Sequence, residues 1–179
     1  MVQLTELLGK KSAVKIIVFF LRHPTLQIHQ HELQKKVKLA KATLIKWLKT
    51  LVHFNILKVV KFGRVKVYSL NRTSNLVRYI KILNNILLLP DITKIAVKHN
   101  IKAYLYGSSA RGEDIEDSDI DILIIGKIKK EQIIRDINKI ASTIGRTIKI
   151  QVFSQLEWSQ VAKKDPAFYE RVEKDKIEL

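Results

Sequence analysis

The stretch "YLYGSSARGEDIEDSDID", residues 104–121, decides the fold of the second half of this 179-residue chain. It begins as an apolar segment, breaks at a glycine followed by two serines, and ends in a cluster of acids just before the apolar run "ILII". Short apolar runs bounded by turn signals are typical of buried strands. The pattern therefore predicts two core strands, over residues 103–107 and 118–125, that flank an acidic turn.

Two of the acids lie in the second predicted strand. Because successive side chains of a strand point to opposite faces, Asp119 and Asp121 share one face, whereas Ile120 and Ile122 share the other. Paired carboxylates on one face form a suitable clamp for a hard divalent cation that keeps open coordination positions. The spacing therefore predicts a metal-binding edge on this strand.

Two other metal or phosphate motifs fail on their spacing. The acids at 117, 119 and 121 begin like an EF-hand loop, but Ile122 and Ile128 occupy its glycine position and its closing glutamate position. Gly107 and Gly112 have the spacing of a Walker A loop, but acids follow where Lys and Ser or Thr are required. Neither motif explains the stretch.

The order of strand, Gly-Ser turn and acidic strand closely resembles the nucleotidyltransferase superfamily of DNA polymerase beta in its minimal form. In this chain the pattern is Gly107 and Ser108, ten residues, and then Asp119, Ile120 and Asp121. The similarity continues through "KEQIIRDINKIASTIG" as a helix and "RTIKIQVF" as a strand to the closing segment "DPAFYERVEKDKIEL". The resemblance implies a small mixed-sheet α/β domain that binds a nucleoside triphosphate with Mg²⁺ or Mn²⁺.

The resemblance also implies roles for individual residues. In this superfamily the turn holds the nucleotide's phosphates with backbone amides and a hydroxyl, and the acids hold the metal against the triphosphate. The implied nucleotide-binding residues are Gly107, Ser108, Ser109 and Arg111. The implied catalytic and metal-binding residues are Asp119 and Asp121.

One feature departs from the superfamily pattern. Active members carry a third carboxylate on the following strand, which completes the metal site and helps to deprotonate the attacking hydroxyl. No acid occurs between Asp136 and Glu157, and we expect Gln151 to stand at the third position. Because an amide cannot act as a base, we expect transfer to be absent or slow. If Gln151 faces Asp119 and Asp121 in an otherwise intact site, we expect Gln151→Glu or Gln151→Asp to restore it.

The net charge of +16 is concentrated in the first 100 residues. That segment contains 19 Lys and Arg against three acids, whereas residues 101–179 contain 14 of each sign. An excess of one sign over half a chain is typical of a protein that binds a polyanion. We expect nucleic acid as the partner, ahead of an anionic membrane surface.

Cysteine is absent, which excludes disulfides and thiolate metal sites and is compatible with a reducing, cytoplasmic environment. The apolar run "AVKIIVFFL", residues 13–21, is interrupted by Lys15 and is too short to span a bilayer. We expect a core helix there and no membrane segment. The five histidines show no helical metal-binding pair, so we expect surface histidines rather than metal ligands.

The sequence of the first half predicts three helices followed by a β-hairpin. Helical periodicity covers Leu4, Leu7, Leu8, Val14, Ile17 and Val18. This helix is expected to stop near Pro24, and further helices are expected over 31–38 and 41–55, the last ending at Asn55. The segment "ILKVVKFGRVKVYSLN", residues 56–71, is typical of a two-stranded hairpin.

Residues 12–71 resemble the winged helix-turn-helix module of transcription regulators, particularly in "LAKATLIKWLKTLVHFNILKVV" and "GRVKVYSLN". In that module the third helix enters the major groove and the wing lies along the backbone of duplex DNA. The implied DNA contacts are Lys41, Thr43 and Lys46 on the helix and Lys61, Arg64 and Lys66 on the wing. The alternative is that the hairpin mediates protein contacts.

These observations predict an α/β (α+β) chain with two domains. Residues 1–72 form a winged helix-turn-helix, 73–89 a connecting helix that could pair with its own copy in a homodimer, and 90–179 a minimal nucleotidyltransferase domain. One hypothesis is an enzyme that transfers a nucleoside monophosphate to a hydroxyl. The alternative is a DNA-binding regulator with a degenerate transferase domain that serves as a nucleotide sensor, a dimerisation body or the antitoxin-like partner of a toxin-type protein.

Overall fold

The chain divides into two compact units between residues 80 and 81. The structure, a computed structural model, describes residues 9–179. The predicted helical positions Leu4, Leu7 and Leu8 therefore lie outside the described residues. Over residues 9–179, each helix is either too short or too polar to cross a membrane.

The first unit contains three helices and a small antiparallel sheet. The helices are α1 (Lys11–Arg22), α2 (Gln30–Val37) and α3 (Lys41–His53). The strands are β1 (Ile28–His29), β2 (Leu57–Phe62) and β3 (Val65–Leu70), in the order β1-β3-β2. The predicted hairpin, the second and third helices and the described part of the first helix, from Lys11, are confirmed. Strand β1 was not predicted, because two residues are too few to show a periodic pattern.

Backbone geometry at two positions explains where these elements end. Asn55 adopts a left-handed conformation with φ 54°, and the chain leaves α3 there as predicted. The hairpin turn consists of Gly63 and Arg64, and Gly63 has φ 57°. A positive φ at the first turn position is the requirement of a type II′ turn, which suits the twist of a two-residue hairpin.

Helix α4 (Asn75–Leu87) has the predicted helical spacing, but several of its apolar side chains are exposed. The sequence pattern predicts one apolar face with Leu76, Tyr79, Ile80, Leu83, Ile86 and Leu87. Four of these side chains, at 76, 79, 83 and 87, are instead 40–72% exposed. The buried positions are Val77 in the first unit and Lys81 and Asn85 in the second, where the two polar side chains contact the buried carboxylate of Asp114.

The second unit is built on a four-stranded mixed sheet. Its strands are β4 (Lys102–Tyr106), β5 (Ile120–Ile125), β6 (Ile148–Phe153) and β7 (Ile177–Glu178), in the order β6-β5-β4-β7. Its remaining helices are α5 (Pro90–His99), α6 (Gly107–Arg111), α7 (Lys130–Ile144), α8 (Gln155–Lys164) and α9 (Pro166–Asp175). Strands β5 and β6 are parallel, and the other pairs are antiparallel. The predicted mixed sheet is confirmed.

Helices cover both faces of this sheet. Strand β5 sends Ile120, Ile122 and Ile124 to the core formed with α5 and α7. Its other face buries Leu123 and Ile125 beneath aromatic and aliphatic side chains of α8 and α9. Since side chains alternate along a strand, the acids at 119 and 121 belong to the face covered by α8 and α9.

Candidate functional site

The predicted Gly-Ser turn and the acidic strand lie side by side. Tyr106, the last residue of β4, is paired with Asp121 of β5, so Gly107 follows immediately beside the acid. Gly107 has φ 71°, and a Cβ atom at this position would lie 2.7 Å from Asp121 Oδ2. Only glycine combines this conformation with such a close approach of the carboxylate. The turn and one predicted metal ligand therefore form a single site.

Both acids are partly buried, and burial has a marked effect on Asp121. Burial raises the pKa of Asp121 above its ordinary value, Lys149 opposes the rise, and Asp119 adds to it. Burial disfavours the charged form of a carboxylate, and a nearby cation restores it. A cation beside these acids is therefore favoured electrostatically.

The cation already beside the acids is a lysine. Strand β6 pairs Lys149 with Asp121 and pairs Gln151 with Leu123. The expectation that Gln151 stands next to the acids is therefore wrong: Gln151 shares their face but lies two residue pairs further along the strand. Lys149 Nζ lies 2.5 Å from Asp119 Oδ2, with the two side chains 65% and 32% exposed. This hydrogen bond raises the pKa of Lys149.

A second cation approaches from α9. The charge of Arg171 lowers the pKa of Asp121, although burial dominates and the net direction is upward. The Arg171 guanidinium also lies 5.6 Å from the centre of the Phe168 ring, in a cation–π contact that holds it on this side of the helix. Two carboxylates and the Lys149 ammonium thus lie together on this face of the sheet, within reach of the charge of Arg171.

The two remaining predicted phosphate ligands are engaged in contacts within the protein. Ser109 is 1% exposed, and its hydroxyl donates to the Asp119 carbonyl at 3.5 Å. Arg111 donates to Glu113 at 2.7 Å and to Asp175 of α9 at 2.9 Å. These contacts support the turn and tie α6 to α9, whereas Ser108 is only partly buried.

A buried polar cluster beneath the turn was not predicted. Its centre is Asp114, which is 3% exposed. Its carboxylate accepts hydrogen bonds from Asn85 and Arg146, both at 3.0 Å, and lies 3.7 Å from Lys81 Nζ. The Lys81 ammonium also donates to the Asp114 carbonyl. Buried charges persist only when they are paired and hydrogen-bonded, as these are.

This cluster fixes both ends of the loop before β5. Asn85 donates to the Ser109 carbonyl at 2.9 Å, at the Gly-Ser turn. Arg146 donates to the Ser118 carbonyl at 2.8 Å, immediately before Asp119. The residues come from three distant parts of the sequence, namely α4, the segment around Asp114, and Arg146, and no local pattern marks them. The cluster holds the turn and the first acid in fixed positions.

The donor set fits one divalent cation. Two same-face carboxylates supply hard oxygen ligands, and substrate phosphates can complete the coordination of Mg²⁺. Within residues 9–179 there is no group of three or more His, Cys, Asp or Glu side chains suited to a metal. The position beside the pair holds an ammonium, which repels a second cation.

A separate groove of about 470 Å³ lies in the first unit. Three of the six predicted DNA contacts line it, namely Lys41, Arg64 and Lys66. Thr43, Lys46 and Lys61 do not line the groove. Six further lining residues were not predicted, the polar His29, Gln30, His31 and Gln34 and the apolar Ile45 and Val65. The only sequence signal of the four polar residues is the polar run at the start of α2, which is common on solvated surfaces.

The second unit thus combines a mixed sheet, a Gly-Ser turn packed against a carboxylate, and a second carboxylate on the same face. This combination defines the class of nucleotidyltransferase folds. A family model described as "Nucleotidyltransferase domain" matches residues 88–178, about half of the chain. The chain belongs to this family. No curated protein and no solved structure gives a significant match.

Proposed function

We propose that the second unit binds a nucleoside triphosphate together with one Mg²⁺ or Mn²⁺ ion, and that its transfer of a nucleoside monophosphate is absent or slow. The observation that carries this proposal is the position of Lys149, paired with Asp121 and 2.5 Å from Asp119. With a lysine at this position, the turn and the two carboxylates that bind nucleotide and metal are still present, but the third carboxylate that would act as the base is missing.

The residues for binding are those around the turn. Gly107 exposes its backbone next to Asp121, and Ser108 offers a hydroxyl at the same turn. Asp119 and Asp121 would hold the cation, which neutralises the phosphates and orients them against the turn. The buried pairs of Asp114 keep this edge in position without a ligand.

The catalytic deficit follows from proton transfer. An acceptor hydroxyl must lose its proton as it attacks phosphorus, and a positioned base typically contributes about 10²- to 10⁴-fold to the rate. Lys149 has a raised pKa because Asp119 accepts its hydrogen bond, so its ammonium stays protonated at neutral pH and cannot accept a proton. Transfer by the unmodified chain should therefore be slower, by about 10²- to 10⁴-fold, than transfer by a site that has a carboxylate base in this position.

Calorimetry with ATP and Mg²⁺ tests the binding proposal. The Asp119→Asn, Asp121→Asn double variant should lose the metal-dependent part of binding and retain the parent's circular dichroism spectrum. Asp136→Asn, which removes an exposed acid on α7, is the matched control and should bind like the parent. Absence of nucleotide binding by the parent protein, with or without metal, contradicts the proposal.

We further propose that the first unit is a winged helix that binds duplex DNA. Support comes from the excess of 16 positive charges before residue 101 and from the basic groove between α2, α3 and the wing. Lys61 and Lys66 also face each other across the hairpin. Like charges at opposed positions are destabilising, and a phosphate between them would relieve the repulsion.

Salt-dependent binding tests this second proposal. Replacement of Lys61, Arg64 and Lys66 by Ala should weaken binding to all duplex sequences alike. The slope of log K against log salt should fall by about 0.9 for each phosphate that the wing no longer neutralises. Replacement of exposed lysines of the second unit, Lys98, Lys102 and Lys127, should leave the slope unchanged. Equal slopes for the parent and the wing variant exclude the wing from the interface.

One observation favours a regulatory role over an enzymatic one. Helix α4 exposes an apolar stripe at 76, 79, 83 and 87, of which Tyr79 is 72% exposed. We propose that this stripe contacts a second copy of the chain, so that two winged helices could bind a two-fold DNA site. Tyr79→Lys should then shift the sedimenting species from dimer to monomer. A parent chain that is monomeric at high concentration contradicts the homodimer and leaves a toxin-type protein partner for the stripe.

A further inference from the structure

We propose that Lys149 binds the nucleotide's phosphates and allows this site to bind a triphosphate without a divalent cation. The inference rests on the proposed nucleotide binding and assigns Lys149 the role that a metal has in the rest of the family. It concerns binding alone and involves no bond formation.

The position of Lys149 carries the inference. Its strand register places it directly beside Asp121, on the face that also carries Asp119. Gly107 contacts the same Asp121 carboxylate from the other side, so the lysine and the Gly-Ser turn flank one acid. A phosphate that reaches the turn therefore comes close to the ammonium.

The local charge explains why a cation is needed. Two carboxylates alone would repel a triphosphate, and in metal-dependent sites the bound ions overcome this repulsion. Here the ammonium of Lys149 lies beside the two acids, and the charge of Arg171 also acts on Asp121. The formal charge of these four side chains is zero, so the edge accepts an anion without an added cation.

Lys149 is also free to change partners. Its side chain is 65% exposed, and its bond to Asp119 is a surface ion pair. Such pairs contribute little to stability, so redirecting the ammonium to a phosphate costs little. A lysine ammonium has three donors on a flexible stem, and it can keep its bond to Asp119 while donating to a phosphate oxygen.

The lysine and the metal are therefore alternatives at Asp119. When Mg²⁺ occupies the carboxylates, the ion neutralises the phosphates and the contribution of Lys149 becomes small. Without Mg²⁺, the contribution of Lys149 becomes large. An ordinary surface charge would contribute equally to phosphate binding with and without Mg²⁺, whereas the contribution of Lys149 should depend on whether Mg²⁺ is bound.

A thermodynamic cycle on the full chain tests the proposal. The dissociation constant for ATP is measured by calorimetry for the parent and for Lys149→Met, each in Mg²⁺ and in EDTA. We expect the parent to bind in EDTA, and Lys149→Met to weaken that binding by about tenfold or more, the scale of a charge-assisted hydrogen bond. In Mg²⁺ the same substitution should change the constant by less than about threefold.

Two variants control for general charge and for folding. Lys102→Met removes a positive charge at the far end of the sheet, where Lys102 pairs with Ile125, and it should bind ATP like the parent in both buffers. Lys149→Arg keeps the charge and should retain most of the binding in EDTA. Circular dichroism establishes that each variant is folded.

The outcomes separate the two proposals. A parent protein that binds ATP in Mg²⁺ but not in EDTA overturns the role of Lys149 and leaves the proposed nucleotide binding intact. Equal effects of Lys149→Met in both buffers, or an equal effect of Lys102→Met, also overturn it. Absence of ATP binding in either buffer overturns both proposals.

Discussion

Asp114→Asn should destabilise the second unit strongly, although Asp114 lies outside the predicted ligands. The substitution keeps the shape of the side chain and removes its charge. It leaves the ammonium of Lys81, which is 3% exposed, without its buried counter-charge. Arg146, with its side chain 17% exposed, loses its partner at 3.0 Å.

The magnitude follows from this burial. Removing one partner of a buried ion pair typically costs about 3–5 kcal/mol, because the other charge remains in a low-dielectric environment. Lys81 still donates to the backbone carbonyl of residue 114, and Arg146 to the carbonyl of Ser118, so we expect the lower end, about 3 kcal/mol. For a unit of this size the loss corresponds to a decrease in Tm of at least about 12 °C.

Urea unfolding, monitored by tryptophan fluorescence, measures the unfolding free energy of the second unit separately from that of the first. The chain has two tryptophans, Trp47 in the first unit and Trp158 in the second. In a Trp47→Phe background the signal reports the surroundings of Trp158 alone, which is 5% exposed. The unfolding free energy of this unit is then compared with and without Asp114→Asn.

Asp91→Asn provides a matched control. Asp91 pairs with Lys94 at 2.7 Å, but the lysine and aspartate side chains are 77% and 58% exposed. Loss of such a surface pair should cost less than about 1 kcal/mol. If Asp114→Asn is no more destabilising than Asp91→Asn, the argument that burial makes the Asp114 cluster essential is refuted.

Three further predictions concern the edge of the sheet. Gly107→Ala should abolish ATP binding measured by calorimetry. The φ of 71° at residue 107 is strained for alanine, and the alanine Cβ would lie 2.7 Å from the Asp121 carboxylate. Normal ATP binding by this variant would contradict the described geometry. Since burial raises the pKa of Asp121 above 3.8, the folded chain binds its proton more tightly, and stability falls as pH rises through the window just above 3.8. In urea titrations from pH 3 to 7, Asp121→Asn should remove this decrease in the free energy of unfolding. An unchanged pH dependence in the variant would show that Asp121 is not the residue responsible. Lys149→Asp should increase transfer from labelled nucleoside triphosphates by about 10²-fold or more, because it places a carboxylate base beside Asp121. Gln151→Glu should leave the rate of transfer unchanged. An increase with Gln151→Glu and none with Lys149→Asp would show that residue 151 holds the catalytic position.

Much of the fold could be predicted because the signals are local. The apolar stripe of α3 and the apolar run of β5 each extend over several residues. The Gly-Ser turn adds a backbone requirement that few sequences meet. These patterns predicted the turn and both carboxylates as neighbours, and Tyr106 paired with Asp121 confirms their adjacency.

The features that were missed depend on the relation between distant segments. Alternation correctly places Gln151 on the face of the acids, but it places Lys149 there equally well. Only the register between β5 and β6 distinguishes them, and this register depends on packing across the whole sheet. Likewise, the apolar pattern of α4 does not reveal its buried face, because Lys81 and Asn85 are buried against a carboxylate 29 or more residues away.

The polar face of α4 has a practical consequence for dissecting this chain. The segment that matches the transferase family begins at residue 88, after both Lys81 and Asn85. A fragment cut at that boundary would retain every predicted ligand of the nucleotide, yet it would bury Asp114 without two of its three side-chain partners. The smallest piece that can fold as a transferase domain therefore starts upstream of the family boundary, within the helix that opens at Asn75. Inactivity of a fragment that begins at residue 88 would thus reflect a missing structural support rather than a property of the site.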